Sequence, residues 1–412
     1  MNEIESTGIS IKLWDYFVIT LFLITSGATF WVGFLTAGVT FSFFFLVALV
    51  NTFLVKTEYS NTLNLSVAFI GLVIFLCYLN YVVYQPSYID NSMVGYIVCM
   101  IGAYLVISNY DFLYFRRILT NIVYALTIVG IPVFLLFELG VLPTYEIAVQ
   151  SGKDYVMFLV YTLGWPYSFD RFSGIWHEPG ACQIILNTVL WLYFDKFVKW
   201  NWEEGELRKV LVILIASLLT MSTGGYMVLM LLIMAVVMHM RIEGRYKTLI
   251  YVAMLTFAVA ALILMFTSPV VQNKLFNDDE DNVSKLERLS DILALWQMTL
   301  ERPLLGYGIG SDEFWKMSDL YGNTACSTGI LTYSASLGFP WLLVFIVFLW
   351  LGIRRMNYGK ASIFLLIAIL MMQFNEKFIE YPITNIFIFK FASYFCDEYD
   401  TYEEYDPELS ID

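Results

Sequence analysis

Residues 118–137 read ILTNIVYALTIVGIPVFLLF, twenty positions without a charge, directly after Arg116 and Arg117. A helix rises about 1.5 Å per residue, so a run of this length crosses the roughly 30 Å of hydrocarbon in a bilayer. Working outward, comparable apolar runs lie at 15–33, 36–55, 64–83, 93–108, 180–194, 209–222, 225–240, 248–267, 327–352, 361–375 and 383–396, which makes twelve in all. The composition agrees: 59% of the 412 residues are hydrophobic and only 14% charged, against roughly 45–50% and 25% in soluble domains. An aromatic content of 18% suits a chain with Trp and Tyr at two membrane interfaces. The expected fold class is therefore all-α, a polytopic integral membrane protein of about twelve transmembrane helices. The first run is preceded by no cluster of positive charge and followed by no small-residue cleavage site, so it is expected to remain as a span.

Basic residues set the orientation, because Lys and Arg beside short loops stay in the cytoplasm. With the N-terminus inside, fourteen of them, including Lys12, Arg116, Arg117, Lys196, Arg208 and Arg354, fall on the cytoplasmic side, and eight, including Arg171, Arg288 and Lys377, on the other. Both termini are then cytoplasmic, and two large loops, 138–179 and 268–326, face outward. No internal repeat or low-complexity linker divides the chain, so residues 1–396 read as one membrane domain and 397–412 as an acidic cytoplasmic tail. That tail holds eight acids and no base, and 268–326 holds ten acids against five bases, which accounts for the whole net charge of −13. Elsewhere the charge is balanced, and nothing offers nucleic acid a basic surface. Five cysteines without metal-type spacing imply neither a disulfide framework nor a zinc site.

Within the second loop, Ser284 to Glu287 form a capping box, and Leu286, Leu289, Leu293, Trp296 and Leu300 recur at helical spacing until Pro303. The expectation is an amphipathic helix with its leucine face against the membrane domain and Lys285, Arg288 and Asp291 on the opposite, solvated face. A tight outer turn at Ser222-Thr223-Gly224-Gly225 joins the seventh and eighth spans.

Chemistry gathers at Asp170-Arg171-Phe172-Ser173-Gly174-Ile175-Trp176-His177-Glu178-Pro179-Gly180, where the first large loop enters the sixth span. Ionisable groups at a span entrance are costly unless used. The alternative is structural, with Arg171 paired to Asp170 and His177 bonded to a loop carbonyl. Pro303 to Gly310, reading PLLGYGIG, lacks the Lys-Ser/Thr and the preceding strand of a phosphate loop. Its glycines let backbone approach a substrate or fold a turn. His177-Glu178 lacks the second histidine of a zinc helix, so no metal is expected.

On these residues the chain resembles the Wzy family of O-antigen and capsular polysaccharide polymerases and the related O-antigen ligases. Arg171, Gly174, Trp176, Glu178 and Pro179 match the family's Arg-x-x-Gly-aromatic segment and Pro-containing span entrance; Thr220 to Gly225 resembles its Thr-x-Ser-Arg turn, with Thr223 where arginine is common. Arg288 ahead of Pro303 to Gly310 resembles its second-loop arginine and Pro-x-x-Gly-x-Gly. Ligases usually carry a histidine before the tenth span, and Asn323-Thr324 stands here, which favours a polymerase.

The resemblance implies a metal-independent glycosyltransferase without cofactor, at the outer face of the bacterial cytoplasmic (inner) membrane. Its donor and acceptor are undecaprenyl-pyrophosphate-linked oligosaccharides. Partners are membrane lipid and the pathway's chain-length regulator and flippase. Arg171 and Arg288 would neutralise the pyrophosphate; Glu178, or else His177, would take the acceptor's proton. Gly174, Trp176, Pro179, Thr223, Gly306, Gly308, Gly310 and Asn323 would bind substrate. A ligase moving glycan to lipid A core, and a transporter or flippase of the same lipid-linked sugars, remain as alternatives.

Overall fold

A computed structural model describes residues 2–34, 37–55, 65–84, 91–148, 154–164, 171–240, 283–322, 326–356 and 358–389, with positions 248, 252, 256 and 263. The chain opens with α1 (Asn2–Thr25), α2 (Thr29–Phe34), α3 (Ala37–Leu54), α4 (Leu65–Tyr84), α5 (Asn91–Ser108) and α6 (Phe112–Glu138). After strands β1 (Tyr145–Ala148), β2 (Asp154–Phe158) and β3 (Tyr161–Gly164) come α7 (Pro179–Leu192), α8 (Phe194–Lys199), α9 (Glu206–Leu219) and α10 (Thr223–His239). The last part holds α11 (Val283–Glu301), α12 (Asp312–Leu320), α13 (Gly329–Arg354) and α14 (Ser362–Asn375), with 3₁₀ turns at Gly359–Ala361 and Pro382–Ile386.

Helix α6 shows why the apolar runs become helices. Asp111 caps it by accepting from the Tyr114 N–H at 3.0 Å, a donor no helical carbonyl could satisfy. Phe115, Ile118, Leu119, Ile122 and Val123 then turn inward, while Ile128, Val129, Leu135 and Leu136 stay exposed and equally apolar. A helix hydrophobic on both sides suits lipid rather than water. Among the described residues α4, α6 and α13 are long and apolar enough to cross a membrane, and six shorter apolar helices accompany them.

Two of the expected spans are described only in part. The ninth run, 248–267, lies almost wholly outside the described residues. The twelfth, at 383–396, begins as the 3₁₀ turn Pro382–Ile386, whose residues are buried among the other elements; residues 390–396 lie outside the described ones, as does the tail. Its path is held inside by polar bonds a lipid-facing helix would not need. Ile383 N–H donates to Ser26 Oγ at 3.2 Å, and Gln373 Nε2 donates to Thr384 Oγ1 at 3.0 Å.

The first large loop is not helical, which corrects the all-α expectation locally. Its strands form an antiparallel sheet in the order β1-β2-β3, with Tyr145 opposite Met157 and Val156 opposite Gly164. From Arg171 the chain passes through the core with a turn at Gly174 and Ile175. Thr162 N–H donates to Gly174 O at 2.8 Å and Thr29 N–H to Ile175 O at 2.9 Å.

The second loop reverses the expected faces of its helix. In α11 the leucine face is open, with Leu289, Leu293, Trp296 and Leu300 exposed, whereas Asp291, Ala294, Leu295, Met298 and Thr299 are buried. Asp291 is 1% exposed and not solvated, because its Oδ2 accepts from Ser327 N–H at 3.1 Å and Ser327 Oγ at 2.8 Å. Two charge-assisted bonds offset the desolvation of the carboxylate.

Candidate functional site

Arg171 enters the fold at the carboxyl end of α9. Its Nε donates to Thr220 O at 3.1 Å, and Phe172 N–H donates to Leu219 O at 3.0 Å beside it. Helix carboxyl ends favour cations, so the guanidinium is electrostatically at home there. Immediately after this helix end, Met221 takes a positive φ of 46° and Ser222 caps α10, accepting from Gly225 N–H at 3.4 Å. Thr223, half-buried, is the first residue of α10. Arg171 therefore stands beside a helix amino terminus, where N–H groups and the helix dipole favour an anion.

Gly174 and Trp176 work from behind rather than at the surface. Gly174 is buried at φ +60°, and a Cβ there would lie 3.1 Å from the Trp176 ring. Trp176 is 0% exposed. Together they shape the backbone that presents the half-buried His177, Glu178 and Pro179. Pro179 opens α7, where its fixed φ fits the first helical turn, and Glu178 is the N-cap residue.

His177 and Glu178 form a dyad. His177 Nδ1 lies 3.1 Å from Gly27 O, a pure acceptor, so that nitrogen carries the proton. Nε2 faces Glu178 Oε1 at 3.3 Å. Phe378 stacks on the imidazole with ring centroids 6.4 Å apart. Tyr155 and Tyr381 lie within electrostatic reach of Glu178. Burial pushes both hydroxyls up from the ordinary tyrosine range; on Tyr155 the Glu178 charge adds to it, and on Tyr381 the charge of Glu380 acts next and that of Glu178 more weakly, so both stay neutral donors.

The sequence reading passed over the segment 373–381, which had seemed a short connector. Three helix amino termini meet it. A Cβ on Gly180 would collide with the Glu376 carboxylate, one on Gly224 with the Asn375 side chain, and one on Gly329 would lie 3.0 Å from Glu376 O and 3.1 Å from Gln373 O. Thus α7, α10 and α13 each place a glycine in the first two residues, against the carboxyl end of α14. Glu376 sits at the start of α7, where Glu178 itself makes no side-chain cap. The available signal was three charges, Glu376, Lys377 and Glu380, within five residues of an otherwise apolar region.

Gly306 and Gly308 of the second loop approach helix α13. Helix α13 breaks at Gly338, and Pro340 has no N–H to give Ser336 O. Gly308 N–H takes that carbonyl at 2.7 Å, Tyr307 N–H takes Ala335 O at 2.9 Å, and Phe339 N–H turns to Pro303 O at 2.8 Å. Every group freed by the break is thereby satisfied from Pro303 to Gly308. A Cβ on Gly306 would collide with the Ser336 backbone, and Gly308 and Gly310 also hold positive φ, 92° and 65°. Arg288 lies on α11, but its side chain falls outside the described ones, as do the capping box side chains and Asn323.

Contacts therefore connect Arg171, the α10 terminus, Asn375 and Glu376, and the His177-Glu178 dyad into one half-buried polar region among apolar helices. Residues 210–346 match the O-antigen ligase family. The apolar helices support a membrane-embedded protein, and the match makes it similar to the O-antigen ligase family in keeping with a polysaccharide-related, glycosyltransferase-like role. No curated protein matches the chain, and no solved structure does.

Proposed function

We propose that the protein polymerises lipid-linked oligosaccharide repeat units at the outer face of the bacterial cytoplasmic membrane. Undecaprenyl-pyrophosphate oligosaccharide serves as donor, and a sugar hydroxyl of a second such unit is the acceptor. The acceptor oxygen attacks the anomeric carbon, the bond to the pyrophosphate breaks, and the electron pair leaves with the phosphate. The observation that carries this reading is Arg171, anchored through Nε at 3.1 Å on Thr220 O beside the amino terminus of α10. A guanidinium forks onto phosphate oxygens and stays charged throughout, so it neutralises the leaving group. Fixed positive groups at the point where charge develops lower the barrier without reorganising.

Arg288 is the second cation in this reading, from α11. Thr223 lies close to the same phosphate. Glu178 and His177 are the sequence's candidates for proton removal. The reaction draws its driving force from the pyrophosphate, so turnover is expected to survive EDTA.

The matched family's description favours a second reading, transfer of a finished glycan to lipid A core. One assay separates them. Purified protein is incubated with lipid-linked repeat unit alone and with lipid A core added. A ladder of products without core supports the polymerase, a single transfer that needs core supports the ligase, and no glycosidic product in either overturns both.

A further inference from the structure

Proton removal needs a carboxylate whose oxygens are open to a sugar hydroxyl, and the dyad does not offer its best one. Glu178 Oε1 is already faced by His177 Nε2 at 3.3 Å, and His177 is pinned through Nδ1 to Gly27 O. The geometry points to Glu380 as the general base of the transfer, an inference that rests on the function proposed above. Glu380 stands on the same segment as Glu376 and Phe378, which touch the start of α7 and the His177 ring. It and Glu178 act on one side chain between them, Tyr381.

The surroundings of Glu380 suit the role. Its side chain is 20% exposed, so it is reachable yet largely withdrawn from water. Oε2 accepts from Tyr333 Oη–H at 3.1 Å. Tyr333 is itself 1% exposed and packed between Tyr96 and Trp341, with ring centroids at 4.8 and 5.2 Å. A rigid donor of this kind fixes one oxygen and aims the other. Lys377 Nζ lies 4.0 Å away, beyond hydrogen-bond range, so it adds a cation through charge alone without occupying an oxygen.

The segment does not give under load. Phe378 N–H donates to Glu376 O at 2.9 Å, Tyr381 N–H to Phe378 O at 3.1 Å, and Thr384 Oγ1 to Phe378 O at 2.8 Å. In the step, the acceptor hydroxyl proton moves to Glu380 as the oxygen bonds the anomeric carbon. The pyrophosphate departs with its electron pair toward Arg171. Charge is conserved: the carboxylate becomes neutral and the leaving group takes the negative charge.

The test uses the full chain in liposomes, with lipid-linked oligosaccharide extracted from the native host as substrate and undecaprenyl pyrophosphate as the binding probe. Glu380→Gln is expected to lower kcat by about 100-fold or more, the usual contribution of a general base, while donor KM and undecaprenyl pyrophosphate binding stay unchanged. Tyr333→Phe keeps the ring contacts and loses one bond to a charged group, and is expected to lower kcat by about tenfold. It carries the decision if Glu380→Gln does not insert. Undiminished kcat in the inserted Glu380→Gln protein, or in Tyr333→Phe where that variant decides, overturns the inference while the function stands. Wild-type protein that forms no glycosidic bond overturns the function, and the inference with it.

Discussion

The two large loops treat their apolar and polar residues in opposite ways. In the first, a three-stranded sheet precedes the irregular stretch Arg171–Glu178, where Trp176 goes to the core and Arg171, His177 and Glu178 remain half-buried. That is the ordinary sorting of a water-soluble domain. In the second, α11 buries Asp291 at 1% exposure and leaves Leu293 at 60%. The difference teaches that hydrophobic periodicity identifies a face without saying which way it points once lipid is a possible neighbour. Hydrocarbon accepts Leu as readily as a protein core does, so polar bonds and close packing, not apolar area, choose the inward side. Asp291 had a bonding partner in Ser327, and the leucines had none to insist on.

The contrast can be tested from either loop. The largest effect is expected at Arg171. Arg171→Ala is expected to lower turnover by roughly 10²–10³-fold, as for removal of one preorganised charge-stabilising donor, with the protein inserted at normal abundance. Arg171→Lys should recover little, because an ammonium cannot make the forked contact. Turnover near wild type in a radiolabelled polymer assay would remove Arg171 from the chemistry and leave the first loop a structural element.

Next comes Gly306→Ala. Its Cβ meets the Ser336 backbone at a position of φ +61°, so strain and overpacking combine. A cost of about 3 kcal/mol or more is expected, read as loss of folded protein in detergent. Gly140→Ala, at φ +69° with open space around it, should cost only about 1 kcal/mol. Equal effects would mean that the glycine loop does not serve the break in α13.

Leu295 and Leu293 test the reversed helix directly. Leu295→Ala should cost about 2–5 kcal/mol as a core truncation, and Leu293→Ala well under that. The opposite order in thermal midpoints would restore the face assignment expected from the sequence. Of the two buried positions on this helix the smaller change is expected for Asp291→Ala, at about 1.5–3 kcal/mol for the loss of bonds to a charged group. A neutral result by the same measurement would return Asp291 to the surface.

Much of the site was legible because its chemistry is local. Arg171, His177, Glu178 and Pro179 adjoin in sequence, and charges beside an apolar run are conspicuous whatever the fold. Thr223 was legible for the same reason, at a glycine turn between two runs. The segment 375–381 was not, because its meaning lies in what it meets: Gly180, Gly224 and Gly329 lie near the starts of three separate helices, far from it along the chain, and no spacing rule links them to Glu376.

Hydropathy alone settled that the chain contains helices able to cross a bilayer and roughly where most of them run, since the backbone of an apolar segment must satisfy its own hydrogen bonds in hydrocarbon. It could not settle the use of the glycines at 306 and 308. Their purpose is the pair of carbonyls that Pro340 and Gly338 leave open about thirty residues later, and a broken helix is repaired by whichever backbone folding brings alongside. Nor could it settle the inward face of α11 or the path of residues 382–389. Those depended on partners, Ser327 for one and Ser26 for the other. A buried polar group is stable only beside its complement, and proximity of that kind exists only after the chain has folded.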